Sequence, residues 1–302
     1  MPAKVSLKQL QALESVARNG SFTHAARELG VSQPTVSNLI YTLERQFDCR
    51  LLDRSGNTIT PTEQFTQISG HIKSVLSLSE TITRQLTSER DLITGRFEIG
   101  YSVHQIAIPI IAEFVRAYPD LQVNACGDSA QDLLDDLRNG QLDVAFITAQ
   151  DLPIHLTGVE ICKTRIGLAV PAGDPLAQKT ALNWHDVANL PLILRMPGSG
   201  TQKIFDAAAR RRDLPPPRGL RFGAWCSALA LVQQKVGLAI SLERECQGET
   251  DVRFVPINDP LLTAKHFIVC QQALRDTAPI QRFMETATAH VARDAEQPAK
   301  LA

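Results

Sequence analysis

Residues 21–46, SFTHAARELGVSQPTVSNLIYTLERQ, constrain this chain more than any other stretch. Ser21 can cap a first helix whose inner side carries Ala25, Ala26 and Leu29. Gly30 ends that helix at the position where a left-handed residue costs least. Ser32 caps the next helix, and Pro34 sits in its first turn, where a missing N–H is harmless. Val36, Leu39, Ile40 and Leu43 then recur at helical spacing and face inward. Gln33, Thr35, Ser37, Asn38 and Tyr41 are left on the open face. A merely solvated helix carries Lys and Glu there; this one gives up helix propensity for hydrogen-bonding capacity. Side chains of that kind reach base edges and phosphates in a major groove, so the pattern implies a DNA-reading helix-turn-helix.

The flanks extend this reading. Residues 7–17 place Leu7, Leu10, Leu13, Val16 and Ala17 on one stripe, enough to complete a three-helix core. Leu51-Leu52, a Ser55-Gly56-Asn57 turn and Thr58-Ile59-Thr60 make a short hairpin, or wing, with Arg50 and Arg54 placed to hold phosphates. Residues 1–62 hold seven Lys/Arg and five Asp/Glu, a net charge of +2. Affinity for DNA would therefore depend on a few placed cations, helix-start amides and more than one copy of the domain.

A helix is expected from a Thr60–Glu63 capping box to about residue 90. Phe65, Ile68, Ile72, Val75, Ser79, Ile82 and Leu86 come at alternating spacings of three and four, a heptad seam interrupted once by a polar residue. A narrow stripe of that length suits packing against its own copy in a second chain.

Hydrophobic residues make up 44% and charged residues 21%, the balance of an ordinary globular protein. No 18-residue apolar run and no secretion signal is visible, so a cytoplasmic location and no membrane contact are expected. The six cysteines lack a Cys-x-x-Cys pair, which argues against zinc and against a disulfide framework; no cofactor is indicated.

From residue 96 onward, strands alternate with helices: strands at 97–101, 122–126, 142–147, 165–170, 192–194, 220–222, 238–242 and 266–270, helices at 106–118, 131–139, 202–212, 228–236 and 279–291. Such alternation implies parallel sheets covered by helices, in two lobes enclosing a cleft at the strand C-termini. Three strand-to-helix loops stand out. Tyr101-Ser102-Val103-His104 comes after the first strand, and Gly127-Asp128-Ser129 after the second. Pro197-Gly198-Ser199-Gly200-Thr201 comes after strand 192–194, its glycines allowing close approach to a ligand and Thr201 capping the next helix. Each presents hydroxyls and free N–H groups at a helix start, so an anionic effector is expected. The candidate contacts are Ser102, His104, Ser129, Gly198, Ser199, Thr201 and Trp225.

Ala17-x-x-Gly20-Ser21-Phe22-x-x-Ala25-Ala26-x-x-Leu29-x-x-Ser32-Gln33-Pro34-x-x-Ser37, then Leu43-Glu44 and Leu51-Leu52-x-Arg54, resemble the N-terminal signature of the LysR-type transcriptional regulators. Glu63 stands where that family often has Gly. The resemblance implies an α/β chain with an N-terminal winged helix-turn-helix (1–62), a long linker helix for dimerisation (63–92) and a C-terminal two-lobed effector domain resembling periplasmic binding proteins (93–302). Lobe I would take in about 93–164 and 265–302, lobe II about 165–264. It also implies a homodimer through the linker helix, assembly to a homotetramer, promoter DNA and a small-molecule effector as partners, and RNA polymerase as a further candidate partner. Carried over residue by residue, Gln33, Pro34, Thr35, Ser37 and Asn38 face the groove, with Arg54 on the backbone; Thr23 and Arg27 are further phosphate candidates, and Ser32 and Tyr41 complete the candidate DNA contacts.

Three other readings compete. A redox-sensing regulator of the same family would use Cys126 or Cys226, beside the expected cleft. A solute-binding protein would have no use for residues 7–62. An enzyme is not expected, because no Gly-x-Ser-x-Gly elbow or His-Glu-x-x-His motif is present and adjacent Asp135 and Asp136 cannot face each other.

Overall fold

The computed structural model describes residues 4–54, 59–87, 95–152, 156–215 and 219–296. The chain forms two compact units, one N-terminal and one containing most of the remainder. In the first, helices α1 (Leu7–Asn19), α2 (Phe22–Glu28) and α3 (Gln33–Gln46) surround a core of Leu13, Val16, Ala25, Val36, Ile40 and Leu43. Each large apolar side chain buried here contributes about 1.5–3 kcal/mol. The helix boundaries obey the local chemistry. Ser21 accepts from His24 N, Ser32 accepts from Thr35 N, and Gly30 takes the left-handed conformation with φ +65°. Strands β1 (Leu52–Asp53) and β2 (Thr60–Pro61) pair antiparallel with Leu52 opposite Pro61. The expected wing turn at 55–57 lies outside the described residues.

Helix α4 spans Glu63–Thr87. Its cap differs from expectation: Thr62, not Thr60, accepts from Phe65 N, because Thr60 is committed to β2. The Thr62 hydroxyl also donates to the carbonyls of Arg50 and Leu51. The expected seam divides along its length. Phe65 and Ile72 turn into the three-helix core, whereas Ile68, Val75, Leu78 and Ile82 are exposed. Residues 88–90, and the side chain of Leu86, lie outside the described part.

The second unit is built on a nine-stranded sheet. Its first half carries β3 (Gly95–Tyr101), α5 (His104–Ala117), β4 (Leu121–Gly127), α6 (Ala130–Arg138) and β5 (Val144–Ala149). Strand β6 (Leu156–Pro171) then runs into the second half. That half adds a short α7 (Trp184–Val187), β7 (Leu192–Arg195), α8 (Gly200–Arg210), β8 (Gly219–Phe222), α9 (Trp225–Gln233), β9 (Leu238–Leu242) and β10 (Val252–Pro256). Strand β11 (Thr263–Gln271) returns to the first half and leads into α10 (Ala278–Glu296). The order is β4-β3-β5-β11-β6-β9-β7-β8, with β10 paired to β6.

The expectation of purely parallel sheets is corrected by this order. Strand β3 is parallel to β4 and β5, and β7 to β8 and β9, but β11, β6 and β10 pair antiparallel at the centre. The two middle strands are long because they serve both halves. Residues 156–165 of β6 pair with β11, and Ile166–Ala169 then pair with β9. The chain leaves for the second half and comes back at one point, where Ile166 N donates to Leu262 O at 2.8 Å. Each half has its own core, one centred on Phe97, Phe114 and Phe283, the other on Leu168, Leu194, Phe205 and Ile240.

Candidate functional site

On the first unit, Gln33, Thr35, Asn38 and Tyr41 are exposed along one side of α3, with Ser32 and Pro34 exposed at its start and Ser37 half-buried. Ser32 and Thr35 hydroxyls bond each other at 2.7 Å, which fixes the first turn of the helix. Thr23 and Arg27 are exposed on α2. Glu44, on the inner side of α3, ties the wing to that helix: its Oε1 accepts from Leu51 N at 2.8 Å and Leu52 N at 3.1 Å, and its Oε2 pairs with Arg54. The Arg54 guanidinium also lies over the Phe22 ring at 5.2 Å. Arg54 is thus a strut between the wing and α3 as well as a phosphate candidate. Arg45 and Arg50 are exposed beside it, so the face is studded with a few fixed cations rather than uniformly basic.

On the second unit, all seven candidates named from the sequence line one cleft of about 800 Å³ between the two halves of the sheet. Four helices begin at its walls, each directly after the C-terminal end of a strand: α5 after β3, α6 after β4, α8 after β7 and α9 after β8. Ligands collect at such strand ends in α/β folds because helix N-termini point there. The four starts are not equivalent. The first turn of α6 is filled by its own side chains: Ser129 Oγ accepts from Asp132 N and donates to the Asp132 carboxylate, and Asp128 accepts from Ser129 N. Burial and the charges of Asp128, Asp132 and Asp135 push the Asp136 carboxyl up, so this wall is acidic. By contrast, α5 begins after Val103 and α9 after Ala224, with no side-chain cap on either.

The Gly-Ser-Gly-Thr loop departs from expectation in two ways. Ser199, not Thr201, is the cap of α8, accepting from Gln202 N at 3.4 Å; Thr201 is buried two residues later. The glycines serve packing between the two halves of the sheet. A Cβ on Gly200 would sit 1.8 Å from Thr148 O, and one on Gly198 would meet Ser129 Oγ at 2.6 Å. Gln131 N donates to Gly198 O, and Lys203 to Gln131 Oε1, across the same seam.

Five further residues escaped the sequence reading. Arg195, the last residue of β7, pairs with Glu245 inside the cleft wall at 3.0 Å, and Trp225 covers its guanidinium at 5.6 Å. Thr148 faces the cleft and bonds His266 Nδ1 at 3.1 Å, while Thr164 bonds His266 Nε2 at 2.8 Å. Burial, with a smaller contribution from Arg244, pushes His266 down to about 4, so the imidazole is neutral. Arg195 had a signal, a cation at a strand end just before a glycine loop. Glu245 had none, being 50 residues away from its partner.

A winged helix-turn-helix on one unit, and a cleft ringed by helix N-termini on the other, define a DNA-binding regulator with a small-molecule domain. The sequence matches the bacterial regulatory helix-turn-helix protein, lysR family, over residues 7–64 and the LysR substrate binding domain over residues 90–292. The chain belongs to the LysR family of transcriptional regulators. It is 29% identical over 220 residues to a probable RuBisCO transcriptional regulator of Chlorokybus atmophyticus, covering 70% of both chains. It is 26% identical over 240 residues to the HTH-type regulator CbbR of Rhodospirillum rubrum, covering 78% of both. Its fold matches a full-length OxyR variant of Pseudomonas aeruginosa with a TM-score of 0.78, at 17% identity over 95% of each chain. HinK, a LysR family regulator of the same organism, matches with a TM-score of 0.57 at 20% identity, over 95% of this chain and 99% of that one.

Proposed function

We propose that this regulator reads a promoter operator with Gln33, Pro34, Thr35, Ser37, Asn38 and Tyr41, holds the DNA backbone with Thr23, Arg27 and Arg54, and changes its grip when a small anionic metabolite enters the cleft. The observation that carries the effector reading is the convergence of α5, α8 and α9 N-termini on one cavity, two of them without a side-chain cap. Uncapped N–H groups and the helix dipole attract negative charge. The anion belongs on that side, near Ser102, His104, Ser199, Thr201 and Trp225. The Ser129 wall, with Asp128 and Asp132, suits hydrogen-bond donors on the rest of the molecule.

The exposed apolar stripe on α4 supports pairing of two copies, which a modestly charged reading head needs in order to hold DNA. In this reading the protein is non-enzymatic, works in the cytoplasm as a homodimer or tetramer, and meets RNA polymerase at the promoter. Among the described residues no helix is long and apolar enough to cross a membrane. Redox sensing is the weaker reading: burial pushes the thiols of Cys126, Cys162, Cys246 and Cys270 up, away from the reactive thiolate.

Footprinting on the DNA upstream of its own gene, with and without a panel of organic and inorganic anions, tests the whole reading. Protection that shifts or shortens with one anion is the expected result. Protection indifferent to every anion would remove the effector assignment and leave the DNA function.

A further inference from the structure

We infer that Arg195 selects the effector's class, binding a planar monocarboxylate through its Nε edge while Glu245 holds its far end. This rests on the cleft being the effector site, and it goes beyond that reading by naming the recognising atom and the ligand group.

The Arg195 side chain is 7% exposed, yet it lines the cleft. Both of its bonds to Glu245, at 3.0 and 3.1 Å, leave from Nη1. Glu245 is held in turn, since its Oε2 accepts from Leu242 N at 2.9 Å. The guanidinium lies over the Trp225 ring at 5.6 Å, and the Glu245 carboxylate holds its Nη1 end. The buried Nε is left without a hydrogen-bond partner. Buried donors are almost always paired, and this unpaired one belongs to a residue that lines the cleft, which calls for a partner the protein itself does not supply. Arginine presents a rigid fork of N–H donors that donates to two oxygens lying in its own plane. The uncapped start of α9, at Trp225 itself, supplies further N–H groups at the cleft wall.

Charge decides which oxyanion fits. Among the described residues, the cleft lining carries Asp128, Asp132 and Glu245 against the single cation Arg195. Glu245 already neutralises that cation, so attraction comes from oriented donors and not from free positive charge. A singly charged, planar carboxylate meets those donors at low electrostatic cost. A dianionic phosphate faces three carboxylates with no unpaired lining cation to offset them.

The test is a titration of the full-length, 15N-labelled protein with acetate, acetamide and inorganic phosphate at matched ionic strength, tracking the indole N–H of Trp225. The chain has two tryptophans, so the signal is readily assigned. Acetate should move it saturably, and acetamide and phosphate should not. Arg195→Lys keeps the charge but loses the fork and should weaken acetate by about tenfold or more. Arg195→Met strands a buried carboxylate and risks misfolding. The near-isosteric Glu245→Gln therefore provides the second arm: it unmasks the cation and should tighten acetate by about tenfold. Failure of acetate to move Trp225, equal binding of phosphate, or undiminished binding by Arg195→Lys would each overturn the inference. The DNA footprint of the wild-type protein without ligand reads the regulator assignment on its own, so failure of acetate binding is distinct from failure of that reading.

Discussion

His266 makes the stability of the effector unit depend on pH in a calculable way. The imidazole is 2% exposed, bonded on both nitrogens by threonine hydroxyls, and depressed to about 4 by burial and Arg244. In the unfolded chain it titrates near its ordinary value of about 6.5. Between those two values the unfolded state binds the proton and the folded state does not. Stability is therefore fully present above about pH 6.5 and is lost progressively as pH falls toward 4. By about pH 5 some 1.5 units of that gap have been crossed, which at about 1.36 kcal/mol per unit is a loss of roughly 2 kcal/mol relative to pH 7.5. Urea unfolding monitored by tryptophan fluorescence reads this unit, because Trp184 and Trp225 both lie in it. The Gln side chain of His266→Gln retains one donor and one acceptor but does not titrate. Between the two pH values the variant should lose about 2 kcal/mol less than the wild type does. Identical pH dependence in both proteins would refute the buried neutral histidine.

Other parts of the molecule are open to test as well. Glu44→Ala frees Leu51 N, Leu52 N and Arg54 together; a loss of about 1–3 kcal/mol in thermal unfolding, with a weakened footprint, is expected. Ile68→Asp with Ile82→Asp places charge on the exposed α4 stripe, and light scattering should show a smaller assembly with unchanged helix content. The Cys246 thiol, pushed up to about 12 by burial, should resist iodoacetamide in the folded protein at about pH 8 while exposed Cys226 reacts.

The helix-turn-helix was readable because its determinants are local. Ser21, Gly30, Ser32 and Pro34 fix boundaries within a few residues of themselves, and the apolar period fixes the inner face. The cleft was readable for a related reason: a loop joining a strand to a helix start is recognisable one loop at a time, and the fold gathers such loops at one place. Strand direction was not readable, since β6, β10 and β11 carry the same apolar runs whether they pair parallel or antiparallel. Nor was the cap of α8. Ser199 and Thr201 are chemically equivalent candidates, and the sequence alone holds nothing that separates them. The Arg195–Glu245 and Thr148–His266–Thr164 contacts join segments 50 to 118 residues apart, beyond the reach of any local rule.

The point at which the chain leaves and re-enters the first half of the sheet bears on how such a protein diversifies. Because Ile166 and Leu262 are bonded neighbours, and Arg165 faces Thr263 in the ladder, everything between them is topologically an insertion with coincident ends. Two crossovers, one at each of those points, would exchange the segment carrying Arg195, Trp225 and Glu245 without cutting a strand of β4-β3-β5. The part of the cleft lining carried by Arg195, Trp225 and Glu245 is thus separable in the gene from the part carried by Ser102, His104 and Asp128.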